Sequence, residues 1–156
     1  MSKYALGLDF GTNSCRALIV DLEDGAELAT CVYDYRRGEA GILVDEHDPN
    51  CARQHPREYL DALRRAVPET VKLAAEAKPG FEAADIIGIG VDTTGSTPLP
   101  VNQAGTPLAL LPEFEDNLNA MAWLWKDHTG HAEASRITEL AAGTRPQYLA
   151  KCGGTY

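Results

Sequence analysis

Short apolar runs separated by turn-forming residues open the chain, and one long amphipathic stretch follows them. Residues 4–9 predict a short buried strand that ends in Asp9-Phe10-Gly11-Thr12-Asn13-Ser14, a segment dense in turn formers. Residues 15–21 predict the next strand, and the unbroken run Ala17-Leu18-Ile19-Val20 predicts burial on both of its faces. Asp24-Gly25 reads as a tight hairpin turn with positive φ at both central positions, so residues 27–35 return as a third strand. The three strands make an antiparallel meander. Residues 38–54 are polar, contain Pro49 and read as a loop. A helix is predicted from about Pro56, a residue suited to a first helical position, with Leu60, Leu63, Val67, Val71 and Ala74 on one stripe. Pro68 falls inside that stripe and predicts a kink or break, because its nitrogen cannot bond the carbonyl of Arg64. Lys78-Pro79-Gly80 ends the helix. Residues 86–92 predict a fourth strand and residues 97–102 a fifth, separated by the polar turn Thr93-Thr94-Gly95-Ser96. Residues 108–119 read as a loop, and a last helix is predicted from near Ala120 past Leu140, with Gly143 as its stop.

This order, β-β-β-α-β-β-α, predicts an α/β domain with a mixed sheet of the ribonuclease H-like or actin-like type. A doubly wound sheet would alternate strand and helix from the start. The 156 residues, 44% of them hydrophobic, are enough for one domain with a real core. The longest apolar runs are far too short to cross a bilayer, and the first residues carry no signal-peptide core, so no membrane partner is expected. Cys15, Cys31, Cys51 and Cys152 are scattered without C-x-x-C spacing, which predicts reduced thiols and a cytoplasmic setting. A net charge of −9, with basic pairs only at Arg36-Arg37 and Arg64-Arg65, argues against nucleic acid as a partner. It does not argue against an anionic nucleotide, since backbone N–H groups and Mg2+ bind phosphates without a basic surface.

Three segments hold candidate chemistry. In the first, Asp9 at a strand end is followed by Gly11, Thr12 and Ser14, with Arg16 beyond. Glycine admits close approach of an anion, the hydroxyls donate, and the carboxylate can position a metal–triphosphate; the same spacing equally fits an ordinary hairpin with a capping Asp. The Asp-Phe-Gly string is not the protein-kinase motif, which follows a full lobe, because only eight residues precede Asp9. The second segment, Gly88-Ile89-Gly90-Val91-Asp92-Thr93-Thr94-Gly95-Ser96-Thr97, fails as a dinucleotide fingerprint because Thr93 stands at the third glycine position. As strand followed by turn, it is either the hydroxyl-rich rim of a polyol site or a plain polar strand end. Asp9 and Asp92 on neighbouring strands also suit a two-metal nuclease, which the net charge of −9 disfavours. The third segment, Trp123-Leu124-Trp125-Lys126-Asp127-His128, offers a sugar platform at Trp125, while Trp123 reads as core; the spacing of Asp127, His128 and His131 is a weak metal signal.

Leu6-Gly7-Leu8-Asp9-Phe10-Gly11-Thr12-Asn13-Ser14-x-Arg16 resembles the opening phosphate motif of the FGGY carbohydrate kinases. The run 88–101 is similar to that family's sugar-side turn in its L-ribulokinase branch, as are Leu110-Leu111-Pro112-Glu113-Phe114, the segment 122–129 and the closing Tyr148-Leu149-Ala150-Lys151-Cys152-Gly153-Gly154. The resemblance implies ATP and Mg2+ as cofactors and L-ribulose as the small-molecule partner; a kinase for another ketopentose or polyol and a non-catalytic sugar-binding module stay open. It implies that Asp9 is catalytic and holds the metal. Asp9, Gly11, Thr12, Asn13, Ser14 and Arg16 would face the phosphates, and Gly95, Ser96, Thr97, Trp125 and Asp127 the sugar, with Ser96 setting specificity. It further implies that residues 1–156 are the N-terminal portion of the first domain, that the general base and the adenosine-binding domain lie outside them, and that the fragment alone is inactive. Whether the protein is a homo-oligomer is left open.

Overall fold

The computed structural model describes residues 2–155. Strands β1 (Tyr4–Phe10), β2 (Ser14–Asp21) and β3 (Glu27–Asp34) form the expected meander, and β5 (Ile86–Thr93) joins β1 in parallel, giving the order β3-β2-β1-β5. Between them lie the two-residue strand β4 (Arg53–Gln54) and the helix α1 (Arg57–Ala77). After β5 come three short 3-10 turns, then β6 (Ala122–Trp123), α2 (His131–Thr144) and the single turn α3 (Pro146–Leu149). No helix among the described residues is long and apolar enough to cross a membrane.

The core lies between one face of the meander and α1. Tyr4, Leu6 and Leu8 of β1 and Ala17 and Ile19 of β2 are buried there against Ala66, Ala74 and Phe81. β2 is covered on this side only: Leu18 and Val20 are half-buried on the other, so its apolar run is not sealed on both faces as predicted. The helix stripe also differs from expectation. The fully buried residues of α1 are Glu58, Ala62, Ala66, Thr70 and Ala74, while Leu63, Val67 and Val71 flank them half-buried. Small side chains at i, i+4 spacing let the helix backbone approach the sheet, and the larger residues seal the sides.

α1 runs unbroken through Pro68, whose exposed ring stands on the solvent side. The lost hydrogen bond therefore falls where water can satisfy the freed carbonyl. The β2–β3 connection is longer than a two-residue turn. Gly25 alone takes a positive φ of 76°, and the Asp24 carboxylate accepts from Ala26 N. Residues 97–102 form no strand, only an isolated bridge between Val101 and Pro107. The helix expected from Ala120 begins at His131, eleven residues later, and contains Gly143. The Trp-rich segment before it is instead extended: β6 pairs antiparallel with β4, Arg53 opposite Trp123 and Gln54 opposite Ala122. β5 is an edge strand among the described residues and is exposed on both faces.

Candidate active site

Because β1 and β5 are parallel, both predicted loops leave the same end of the sheet. Asp9 stands beside Asp92 and Phe10 beside Thr93, and Thr94 N donates to the Phe10 carbonyl (3.1 Å), extending the ladder into the second loop. Ligands bind by preference at such carboxyl ends of parallel strands. Asp9 also pairs in register with Arg16 on β2, so Asp9, Arg16 and Asp92 share the sheet face opposite α1. There they line an open groove of about 420 Å3 with Gly7 and Gly90 on its floor.

The hairpin between β1 and β2 closes through Gly11 N, which donates to the Ser14 carbonyl at 2.9 Å. A Cβ on residue 11 would stand 3.3 Å from that oxygen, which accounts for the glycine. Thr12 is held from two directions: its carbonyl accepts from Gln54 Nε2 (2.8 Å), and its Oγ1 accepts from Trp125 Nε1 (3.1 Å). Asn13 Nδ2 donates to the Ala40 carbonyl (3.0 Å), docking the turn on the loop that follows β3.

On the other side of the strand ends, Phe10, Tyr59, Thr93, Thr94, Thr97, Leu99 and Ala122 enclose a cavity of about 240 Å3. Its floor is apolar, and its rim carries threonine hydroxyls, with Thr94 Oγ1 and Thr97 Oγ1 3.2 Å apart. Of the residues expected to face a sugar, Thr97 lines this cavity. Gly95 and Ser96 form the exposed crest of the turn above it, Ser96 with a positive φ of 56°. Trp125 is 57% exposed and lies against the β1–β2 hairpin. Asp127 is turned inward: one oxygen accepts from Ala52 N (2.7 Å) and meets the Arg53 guanidinium, and the other accepts from Thr129 N (3.1 Å) and the Thr129 hydroxyl. Its carboxylate is thus taken up in tying the Trp125 loop to β4, and Arg53 itself is stacked over Trp123, 3.7 Å from the ring centroid.

Several residues here carry no sequence signal. Gln54 is fully buried, and its Oε1 accepts from the Tyr59 hydroxyl at 2.8 Å. Burial pushes the Tyr59 phenol up to about 12, so that hydroxyl stays protonated and donates. Glu58, also fully buried, accepts from Arg36 N (3.1 Å), Arg37 N (2.9 Å) and Arg37 Nη1 (3.0 Å), fixing the exit of β3 to the first turn of α1. Position after polar position in residues 38–54 looked like loop, and only the tertiary partners show which are structural.

The exposed carboxylates of Asp9 and Asp92, on adjacent strands and one face, are hard oxygen donors of the kind Mg2+ takes, so the residues present fit the ion. Among the described residues, no group of three or more His, Cys, Asp or Glu is gathered as a metal cluster.

No protein-family model matches the chain. It is similar to the ribulokinase of Vibrio parahaemolyticus, 47% identical over 155 residues, covering 99% of this chain and 26% of that protein. The ribulokinase of Halalkalibacterium halodurans is 39% identical over 161 residues, covering 98% and 27%. Among solved structures, glycerol kinase from Plasmodium falciparum with ADP superposes with a TM-score of 0.66 at 16% identity, over 95% of this chain and 24% of that one. A xyloylose kinase from Brucella ovis gives a TM-score of 0.64 at 21% identity, over 89% and 24%. The structural matches establish the mixed α/β fold that these kinases share. The chain spans about a quarter of the length of the curated relatives it matches. Along nearly all of that span it is a homologue of the ribulokinases, in the FGGY carbohydrate-kinase family.

Proposed function

We propose that this chain is the phosphate-facing and sugar-facing segment of an ATP-dependent kinase for L-ribulose, producing ribulose 5-phosphate and ADP in the cytoplasm. The observation that carries the reading is the parallel β1–β5 pairing in a ribulokinase homologue, which brings the Asp9 hairpin and the Gly95-Ser96 turn to one end of the sheet. Asp9 and Asp92 would hold Mg2+, which when bound offsets the negative charge of the phosphates. Arg16 adds fixed positive charge on the same face. The Thr12 hydroxyl accepts from Trp125 and so keeps its own hydrogen to donate to a phosphate oxygen. Thr97, with Thr93 and Thr94, offers directed hydroxyls to a polyol, and the Phe10 and Tyr59 rings offer an apolar wall. No carboxylate lines that cavity among the described residues, so the base that takes the sugar hydroxyl's proton is assigned to another part of the polypeptide.

The test is ADP release by the full-length gene product with L-ribulose, D-xylulose, glycerol or no sugar. L-Ribulose-dependent release, lost by orders of magnitude in Asp9→Ala with the sugar KM little changed, is the expected result. Release with D-xylulose alone would move the substrate within the family. No release with any sugar from folded protein and Mg2+ would overturn the kinase reading in favour of a binding module.

A further inference from the structure

The phosphate hairpin is not free-standing. Its Thr12 carbonyl is gripped by Gln54 Nε2 at 2.8 Å, and the same nitrogen lies 3.3 Å from the Gly41 carbonyl. Gln54 is fully buried, and its remaining amide atom, Oε1, accepts from Tyr59, whose ring lines the sugar-side cavity. Only one orientation of the amide satisfies all three partners, because the reverse would set its oxygen against two carbonyl oxygens. The surroundings are shaped for this arrangement. Gly41 has a φ of 88°, and a Cβ there would stand 2.5 Å from Tyr35 Cβ and 3.1 Å from Gln54 Nε2. Tyr59 is fixed in turn by edge contacts with Phe10 (5.9 Å between centroids) and Tyr35 (6.0 Å).

We propose that Gln54 is the positioning residue of the phosphate hairpin, and that the Tyr59 hydroxyl locks it from the wall of the neighbouring cavity. Gln54 lines neither the groove nor the cavity. It sets the height of the Thr12 peptide, and with it the Thr12 hydroxyl and the Gly11 turn, above the groove that holds Asp9. A catalyst of phosphoryl transfer works mainly by holding groups in place, so a hairpin displaced by a fraction of an ångström loses rate and nucleotide affinity. The inference rests on the kinase reading for the identity of the anion, though not for the hydrogen-bond chain itself.

Two variants of the full-length protein test it. Tyr59→Phe keeps the ring, and hence the cavity wall, and removes only the hydroxyl. Gln54→Glu keeps an acceptor for Tyr59 and turns the Thr12 and Gly41 contacts repulsive. Affinity for ATP·Mg2+ is measured by calorimetry, and kcat and both KM values by ADP release. Tyr59→Phe is expected to weaken ATP·Mg2+ binding about three- to tenfold, the worth of one hydrogen bond, and to lower kcat while the sugar KM stays within about twofold. Gln54→Glu is expected to do the same more strongly; if it fails to fold, Tyr59→Phe carries the test alone. Unchanged nucleotide affinity in Tyr59→Phe, or a change confined to the sugar KM, overturns the proposal and leaves Tyr59 as a wall. A wild-type protein that binds ATP·Mg2+ but phosphorylates no sugar removes the kinase reading alone, because the calorimetric comparison still reads the chain of bonds. A wild-type protein that binds no nucleotide overturns both.

Discussion

Among the described residues, Ser96 is one of two non-glycine residues with positive φ, at 56°. That conformation costs an ordinary L-residue on the order of 1 kcal/mol, and strain of this kind collects at functional turns. Replacing Ser96 with glycine releases the strain and removes the hydroxyl together. If the hydroxyl binds sugar, Ser96→Gly raises the L-ribulose KM several-fold in the full-length enzyme without lowering its Tm. A lower Tm with an unchanged KM would make Ser96 a scaffold residue. The pair of Asp21 with Lys78 is a separate case, concerned with stability. Lys78 Nζ donates to Asp21 at 2.6 Å, joining the end of β2 to the C-terminal cap of α1. The hydrogen bond from Lys78, and then that from Glu23 N, hold the Asp21 carboxyl below the usual carboxylate range, and the bond to Asp21 holds Lys78 above the usual lysine range. A depressed acid contributes stability above its unfolded pKa and loses it as pH falls through the folded value. A raised base contributes below its unfolded pKa and loses it as pH rises through the folded one. Urea midpoints of the wild type and Lys78→Met are therefore expected to differ fully between about pH 5 and pH 10 and to converge as acid protonates Asp21. A difference that persists unchanged to about pH 2 would show that Lys78 acts through its ammonium over the Tyr4 ring, 5.3 Å from the centroid.

At the scale of elements, what could be read from the chain follows the range over which each signal acts. The meander, β5 and the ends of α1 were legible because short apolar runs and turn residues are local. The inner stripe of α1 was displaced because alanines carry little hydropathic weight, yet fit closest to a sheet; Ala62, Ala66 and Ala74 are the buried ones, and the leucine and valines beside them are the flanks. Ala122 and Trp123 lay inside the predicted last helix, and were drawn into β6 by pairing with β4, some seventy residues earlier in the chain. The same divide runs through the site. Asp9, Gly11, Thr12 and Ser14 announced themselves as turn chemistry. The bond between Thr12 and Trp125 spans 113 positions, and the Gln54 amide finds its partners 42 and 13 positions away, so neither leaves a local pattern. Asp127 was legible as a polar residue beside Trp125 but not as the internal partner of Arg53, because nothing in its neighbourhood tells an inward carboxylate from an outward one.

In the isolated 156-residue chain, the apolar residues of β5 are left uncovered. Among the described residues β5 pairs only with β1, leaving its other backbone edge open. The register sets Ile89 beside Leu6 and Val91 beside Leu8, on the α1 side, yet Ile87, Ile89 and Val91 are 59%, 66% and 62% exposed while Leu6 and Leu8 are buried. An open, apolar edge strand of eight residues is a template for pairing with another strand. A net charge of −9 opposes association of two copies, and salt screens that repulsion over about 10 Å at 0.1 M. The isolated 156-residue chain is therefore expected to self-associate with rising concentration, and more strongly as salt rises from about 0.05 to 0.5 M, as read by light scattering during size exclusion. Ile89→Lys places a charge in the middle of the exposed stripe and is expected to return the chain to monomer with its circular dichroism unchanged. Association that weakens with salt would point to ion pairs rather than the apolar stripe. A wild-type monomer at every concentration and salt would mean that the β5 edge, though open, is too twisted or too short to pair.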